Sequence, residues 1–502
     1  MSVRVISTSL PAVDQLRLYQ ALARSREQHD LYLLESLDGP DQDRNATVIG
    51  WGRLAELRVF ADRVELTADG GIGAVLAAAV SAVAGPARTA SDDTRARTAS
   101  GDTRVWDVAG PQHVWRVLRA AQAAFTVDTE VPTDTFAFGF LTTLAYEAAW
   151  DMEELPRNQA ESGLPRCTLT LFRDTVWHDL RSGAVRHLTA RGEHLPAGSG
   201  GLPPEVLAEA TASGHEAGVP AAPAPVSVRD TMDEETFGTL AKRCLGHIEV
   251  GDSYQIQIGH RIEVETPLTP LEVYRRLRHR NPSPYMYLAP WAGGTVIGAS
   301  PELFVRIQDG RISMRPIAGT APRAADPAQD ALRVDELRES AKEQAEHVML
   351  VDLCRNDIGR VCVPGTLAVD TMMEVEPFAY VHHLVSTVSG EVRAGTDVWA
   401  AICATFPAGT MTGAPKLRAM EIINELERSP RGIYAGALGL VDVRGFAVLA
   451  LCIRTAVHDG RRYTTQASAG VVADSEPAAE WRETLAKLSA THWALTGQEL
   501  LP

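Results

Sequence analysis

The 502-residue sequence predicts an α+β fold with antiparallel sheets, and three features carry that expectation. Runs such as "SYQIQIGHRIEVE" (253–265) and "RRYTTQASAGVVAD" (461–474) alternate with the period of two that a half-buried strand requires. Helical stretches stand between such runs without the regular beat of parallel βαβ units. Residues 191–226 are dense in Pro, Gly and Ala, the composition of a linker or surface crossing. They divide an N-terminal region, 1–190, from a motif-rich C-terminal region, 227–502.

In chain order, the uncharged run from Gly70 to Pro86 is too short to cross a bilayer comfortably and reads as a buried helix. Residues 88–104 hold a near repeat, "RTASDDTR" then "RTASGDTR", polar and without apolar periodicity, which fits a flexible surface insertion. "DEETFGTLAKRCLGHIEVGD" (233–252) has helical periodicity closed by Gly, and "ESAKEQAEHVMLVDLCRNDIGR" (339–360) reads as a long helix. "GAPKLRAMEIINELE" (413–427) places Pro415 just inside a helix start, where its missing N–H costs nothing. "PAAEWRETLAKLSATHWAL" (477–495) is a final helix.

The 48 basic and 64 acidic residues leave a formal charge of −16, which argues against a nucleic-acid surface and fits a soluble enzyme able to offer carboxylates to a hard cation. Six cysteines without a CxxC pair indicate neither a disulfide framework nor a zinc site, so a reducing cytoplasm is the simplest setting. The opening "MSVRVISTSLPAVDQ" lacks the pattern of a signal peptide, and no membrane segment is expected.

Several constellations could carry chemistry. Glu343 and Glu346 lie three apart, hence on one helix face, and Glu480 and Glu483 repeat the spacing with Lys487 four beyond. Spacing alone leaves two readings open: solvated, salt-bridged faces, or an oxygen-rich Mg²⁺ site between two helices. "FPAGTMTGAPK" (406–416) lacks the phosphate-loop pattern. It is either a tight loop before a helix or a glycine loop that brings backbone N–H groups and Thr410 close to an anion. His382 and His383 fit structural roles as readily as functional ones. No cysteine stands in a glutamine-hydrolysing context.

Taken together, "LLES" (33–36), "NPSPYMY" (281–287), "GASPELF" (298–304), "RPIAGT" (315–320), "EHVMLVDLCRNDIGRV" (346–361), "FPAGTMTGAPKLRAMEIINELE" (406–427), "IRT" (453–455) and "AGVVADSEPAAEWRETLAKL" (469–488) resemble the anthranilate synthase large subunit. The resemblance covers nearly the whole chain and is densest from about 228 to 495. It implies the fold of the chorismate-utilising enzymes, an α/β sandwich with two facing antiparallel sheets and outer helices. It further implies Glu346 and Glu483 as Mg²⁺ ligands, with Glu343 and Glu480 supporting through waters. Arg454, Lys487 and the backbone of Ser468, Ala469 and Gly470 would hold substrate carboxylates. Thr410, Tyr434 and His383 would line the ring site, Gly319 and Thr320 would form its wall, and Glu302 would be the general acid.

The same resemblance narrows the reaction. Gln255 falls where water-adding relatives carry a Lys base, and Ala318 falls where aminodeoxychorismate synthases carry a Lys. What remains is ammonia at C2 of chorismate with loss of the C4 hydroxyl, giving 2-amino-2-deoxyisochorismate (2-amino-4-deoxychorismate). Pyruvate elimination to anthranilate is the first expectation and release of the amino intermediate, which feeds antibiotic pathways in some relatives, the second. A non-catalytic tryptophan- or chorismate-binding regulatory subunit is the third. Ammonia would come from a separate glutamine amidotransferase subunit in a hetero-oligomer. Glu35, Ser36, Pro284, Tyr285 and Met286 match the family's tryptophan-inhibition site. Two departures stand out: Ala321 where the family has Arg in "GTRPR", and Ser468 where it has the first Gly of "GAG".

Overall fold

Antiparallel pairing joins the strands into one hydrogen-bonded network, with Ser2–Leu10 running parallel to Thr126–Asp128. The structure, a computed structural model, describes residues 1–68, 70–89, 103–108, 110–156, 163–196, 201–212 and 218–501. Most of the near repeat at 88–104 lies outside the described residues.

From the long pair Ala46–Val59 and Cys167–Asp179 the network divides into two arms. One runs through Gly139–Leu144, Ala437–Asp442, Ala447–Leu451, Leu303–Gln308 and Arg311–Met314 to Val381–Glu391. The other runs through Leu31–Glu35, Tyr285–Trp291, Gly294–Ser300, Thr455–His458 and Tyr463–Val471 to Gln255–Glu265. The arms face each other across Tyr32, Tyr287, Trp291, Leu440 and Phe446, all buried. Helices Glu234–Glu249, Pro270–Arg280, Lys416–Leu426 and Pro477–Thr496 cover the second arm, and Ala341–Gly359 and Val398–Thr405 the first. This is the sandwich of facing sheets with outer helices that the motifs imply.

Both arms borrow strands from the N-terminal region. Leu31–Glu35 pairs with Tyr285–Trp291, and Gly139–Leu144 with Ala437–Asp442. The Pro- and Gly-rich crossing contains a helix, Pro204–Thr211, which buries Val206 and Ala210 and accepts Asp14 N–H at the Ala210 carbonyl.

Three local readings change. Helix Gly70–Ala84 buries one face, with Ile72, Leu76, Ala77 and Val80 inward, rather than its whole surface. Pro415 is extended and caps a helix that starts at Lys416, so it stands just outside the first turn. The long helix starts at Ala341, because the Ser340 hydroxyl caps it by accepting Glu343 N–H at 3.4 Å.

One buried ion pair ties the loop before the Lys416 helix to the second arm. Arg431 pairs with Glu427 at 2.7 Å and donates to the carbonyls of Met411 (2.7 Å) and Gln257 (2.9 Å). Glu427 in turn accepts Gly259 N–H at 3.2 Å. Such a pair is costly to break from one side, since the partner would remain buried and charged.

Candidate active site

Glu302 lies in the bend between strands Gly294–Ser300 and Leu303–Gln308 and is 6% exposed. Thr410, on the short turn Gly409–Met411, donates its hydroxyl to the carboxyl at 2.9 Å. Burial outweighs Thr410 and the nearby cations Lys487 and Arg454, and pushes the Glu302 carboxyl up to about 8. It therefore holds its proton at neutral pH, the state a general acid needs.

Two cations stand near it. Burial holds the Arg454 guanidinium below its usual pKa, a penalty that a bound anion would relieve. Lys487 donates to the Ser468 carbonyl at 3.0 Å and pairs with Glu483 at 2.6 Å. Burial opposes its charge, but Glu483 outweighs that and the ammonium pKa is raised.

His383 is buried and edge-on to Phe378. Its Nδ1 lies 2.9 Å from the Gly319 carbonyl and 3.1 Å from the Thr320 hydroxyl. A carbonyl only accepts, so Nδ1 carries the proton and Nε2 keeps a lone pair, which is buried without a partner. Burial, with Arg454 adding to it, lowers the ring to about 4, so it is neutral at pH 7. Gly319 takes φ of +65°, and a Cβ there would come within 3.1 Å of the Glu343 carboxylate.

Ser468 sits in surroundings that accommodate a side chain at the position where the resemblance leads one to expect glycine. Its hydroxyl donates to Gln257 Oε1 at 2.9 Å and meets the Tyr434 hydroxyl at 2.7 Å. The residue opposite in the sheet is Gly259, so no side chain competes for the space. Gly470 has no such latitude, since a Cβ would lie 2.4 Å from Gln255 Nε2 and 2.8 Å from Gln257 Nε2. Ala469 is buried beneath them, paired with Ile258.

The four carboxylates converge electrostatically. Burial raises the Glu346 carboxyl, and the like charges of Glu343 and Glu483 add to it. Burial likewise raises Glu480, whose Oε2 is buried with no hydrogen-bond partner. Yet among the described residues no three His, Cys, Asp or Glu side chains close into a metal-holding group. Glu483 is turned to Lys487, and Glu346 accepts Gln255 Nε2 at 3.1 Å. Mutually repelling carboxylates with an orphaned oxygen fit a hard divalent cation better than they fit solvated helix faces.

Away from this cleft, Glu35, Ser36, Pro284, Tyr285 and Met286 line one cavity of about 200 Å³, joined by Asp43. The Glu35 carboxylate is engaged by the Tyr274 hydroxyl at 2.5 Å and by Arg278 at 3.0 Å. Ser36 donates to the Pro284 carbonyl at 2.7 Å, and Tyr285 to Asp43 at 2.8 Å.

The sequence-implied cleft residues thus come together around Glu302, and the motifs did not point to Gln257. Its signal was present: in "SYQIQIGHR" the alternation puts Gln255 and Gln257 on one face of an otherwise apolar strand. Among the described residues no helix is long and apolar enough to cross a membrane.

The chorismate binding enzyme family matches residues 76–492. The chain is 46% identical over 507 aligned positions to the 2-amino-4-deoxychorismate synthase of Streptomyces globisporus, covering 99% of this chain and 98% of that protein. It is 44% identical over 368 positions to anthranilate synthase component 1 of Streptomyces coelicolor, covering 71% and 72% respectively. It superposes on the crystal structure of anthranilate synthase component I from Streptococcus pneumoniae with a TM-score of 0.69 at 26% identity, over 89% of this chain and 92% of that one.

Proposed function

The chain belongs to the chorismate binding enzyme family, and on that basis we propose that it is a chorismate aminase that adds ammonia at C2 and releases 2-amino-4-deoxychorismate. The observation that carries the amination is Glu302, a carboxyl kept protonated by burial and aligned by Thr410. Hydroxide is a poor leaving group, so the departing C4 oxygen must receive a proton, and Glu302 supplies it. The ammonia lone pair forms the C2–N bond as the ring double bond shifts and the C4–O bond breaks. The ammonium so formed gives up one proton, so the net exchange is ammonia in and water out.

Gln255 places the nucleophile. Its Nε2 donates to Glu346, while Oε1 is buried without a partner and can accept an ammonia N–H. A neutral amide cannot deprotonate water, so this position favours ammonia. Arg454, Lys487 and the strand Ser468–Gly470 hold the substrate carboxylates, while Tyr434, Thr320 and Gly319 border the ring. Mg²⁺, when held by Glu346 and Glu483 with Glu343 and Glu480 behind them, would withdraw charge from the ring carboxylate and orient it. The ammonia comes from a separate glutamine amidotransferase subunit, and the enzyme works in the cytoplasm.

Ser468 supports a reaction that ends at the amino intermediate. Its hydroxyl is pinned by Tyr434 and Gln257 beside the carbonyl that Lys487 binds. A sub-ångström change in a clamped carboxylate is enough to misalign the C–O bond that elimination must break. The similarity along the full length to a 2-amino-4-deoxychorismate synthase supports the same reading. Elimination to anthranilate is the second reading, favoured by the free lone pair on His383 Nε2, which could take the C2 proton.

Incubating the chain with chorismate, Mg²⁺ and an ammonium salt should consume chorismate without glutamine and yield the amino product without pyruvate. Pyruvate and anthranilate equal to the chorismate lost would establish elimination instead. Where the wild type releases the amino product without pyruvate, Ser468→Gly should raise the pyruvate released per turnover.

Corrected for the unprotonated fraction of ammonia, kcat/KM should fall as pH rises through about 8, where Glu302 loses its proton. Glu302→Gln should lower turnover by about 10²- to 10⁴-fold and abolish that alkaline limb. A limb that survives the substitution belongs to another group.

Glu483→Gln should weaken Mg²⁺ binding measured by calorimetry, as well as raise the Mg²⁺ needed for half-maximal activity. Unchanged binding would remove Glu483 from the cation site.

L-Tryptophan occupies the distal cavity in this reading and inhibits from there. Calorimetric titration should detect its binding to the wild-type chain and lose it in Ser36→Phe, which fills the cavity. No binding by the wild type would eliminate the proposal.

A further inference from the structure

Strand Gln255–Glu265 carries more than the two glutamines that face the cleft. Five residues beyond Gln255, His260 turns to the opposite, helix-covered side and is sealed from solvent, its side chain 0% exposed. Both ring nitrogens are engaged. Nδ1 lies 2.8 Å from the carboxylate of Asp230, on the edge strand Ser227–Asp230, and Nε2 lies 2.8 Å from the hydroxyl of Thr484 on the last helix. A carboxylate only accepts, so Nδ1 carries a proton and the ring is fixed in orientation. The ring also packs against Trp481, centroids 4.4 Å apart, and edge-on to Phe237.

The place where this contact lands gives it meaning. Thr484 follows Glu483 directly and stands three residues before Lys487 and four after Glu480. It is fully buried, and its hydroxyl also meets the Trp481 carbonyl at 2.7 Å. Because i±3 and i±4 positions share a helix flank, the rotation of this turn about the helix axis decides where Lys487 and both carboxylates point. His260 ↔ Ala467 is also a register pair, one residue from Ser468, whose carbonyl receives Lys487. The same strand therefore holds both ends of the substrate clamp.

We propose that Asp230, His260 and Thr484 form a positioning brace that fixes the rotation of helix Pro477–Thr496, and so sets Lys487 against the Ser468 carbonyl for carboxylate binding. None of the three touches substrate. The proposal rests on the chorismate aminase reading, and the variants below separate its failure from the failure of that reading.

Asparagine places its amide nitrogen near Nδ1 of histidine, whereas glutamine places it near Nε2. His260→Asn should keep the Asp230 contact and lose Thr484, and His260→Gln should keep Thr484. Thr484→Val removes the hydroxyl at constant shape, and Thr484→Ser restores it. His260→Asn and Thr484→Val should raise the chorismate KM about tenfold, the size of a lost hydrogen bond to an oriented polar group, with kcat within about threefold of wild type. Amide exchange in residues 480–488 should quicken in those two variants and stay near wild type in His260→Gln and Thr484→Ser. Two results would overturn the brace: KM and local exchange unchanged in all four variants, or His260→Gln as impaired as His260→Asn. Loss of melting temperature with no change in KM or local exchange would reduce the contact to fold stability and also overturn it. If the wild type neither binds nor consumes chorismate, the aminase reading fails, and the exchange pattern alone then decides whether the brace exists.

Discussion

A carboxyl group that must stay protonated at neutral pH, with two cations nearby, is the constraint around which this cleft is built. Cations favour the carboxylate form, as does a donated hydrogen bond from Thr410. Glu302 keeps its proton because dry burial outweighs them all. That balance is possible only where two facing sheet arms close over the bend at Ser300–Leu303 and water is excluded. The loop at Thr410 is held in place from below by the buried Arg431, which bonds both that loop and the strand bearing Gln257. Fold and acid strength are therefore one problem: loosening the junction between the arms would hydrate Glu302 and ionise it.

The same electrostatic economy runs through the rest of the site. A chain with a formal charge of −16 that is to bind a dianion needs local cations. In the proposed site Lys487 is kept charged by Glu483, whereas the charge on Arg454 is costly until an anion arrives. Arg454 is held below its usual pKa by burial. His383 is kept neutral by burial and by that cation. Glu346 is raised by burial and by its neighbours Glu343 and Glu483. Arg454 and Glu346 are each strained in the direction that a proposed ligand would relieve, an anion for the first and a cation for the second. Such opposed perturbations in one cleft are characteristic of catalytic sites.

Much of this was legible in the sequence, and the remainder was hidden for a physical reason. Strand alternation located Gln255–Glu265 and Tyr463–Val471, and the motifs gathered Glu302, His383, Thr410 and Lys487 into one site. The contacts between distant segments were not readable. His260 and Thr484 are 224 residues apart, and Gln257 and Ser468 are 211 apart. Neither pair has a local periodicity, and only the fold brings each together. The Pro- and Gly-rich crossing misled in the other direction: its composition hid the short helix Pro204–Thr211, whose apolar Val206 and Ala210 pack in one buried cluster with the distant helix Gln15–Ala23. The carboxylate spacings and the Glu483–Lys487 pair, an i,i+4 contact within one helix, were legible. The approach of Glu346 to Glu483 from a different helix was not, because it is a tertiary event.

The protonation of Glu302 is the central claim and can be observed without turnover. Difference infrared spectra of wild type minus Glu302→Gln, recorded across pH 6–10, isolate the stretch of this one side chain. A band of the protonated acid present at pH 7 and lost with a midpoint near pH 8 is the predicted result. A carboxylate band already present at pH 7, with no protonated acid, would contradict it and leave the departing hydroxyl without its proton donor.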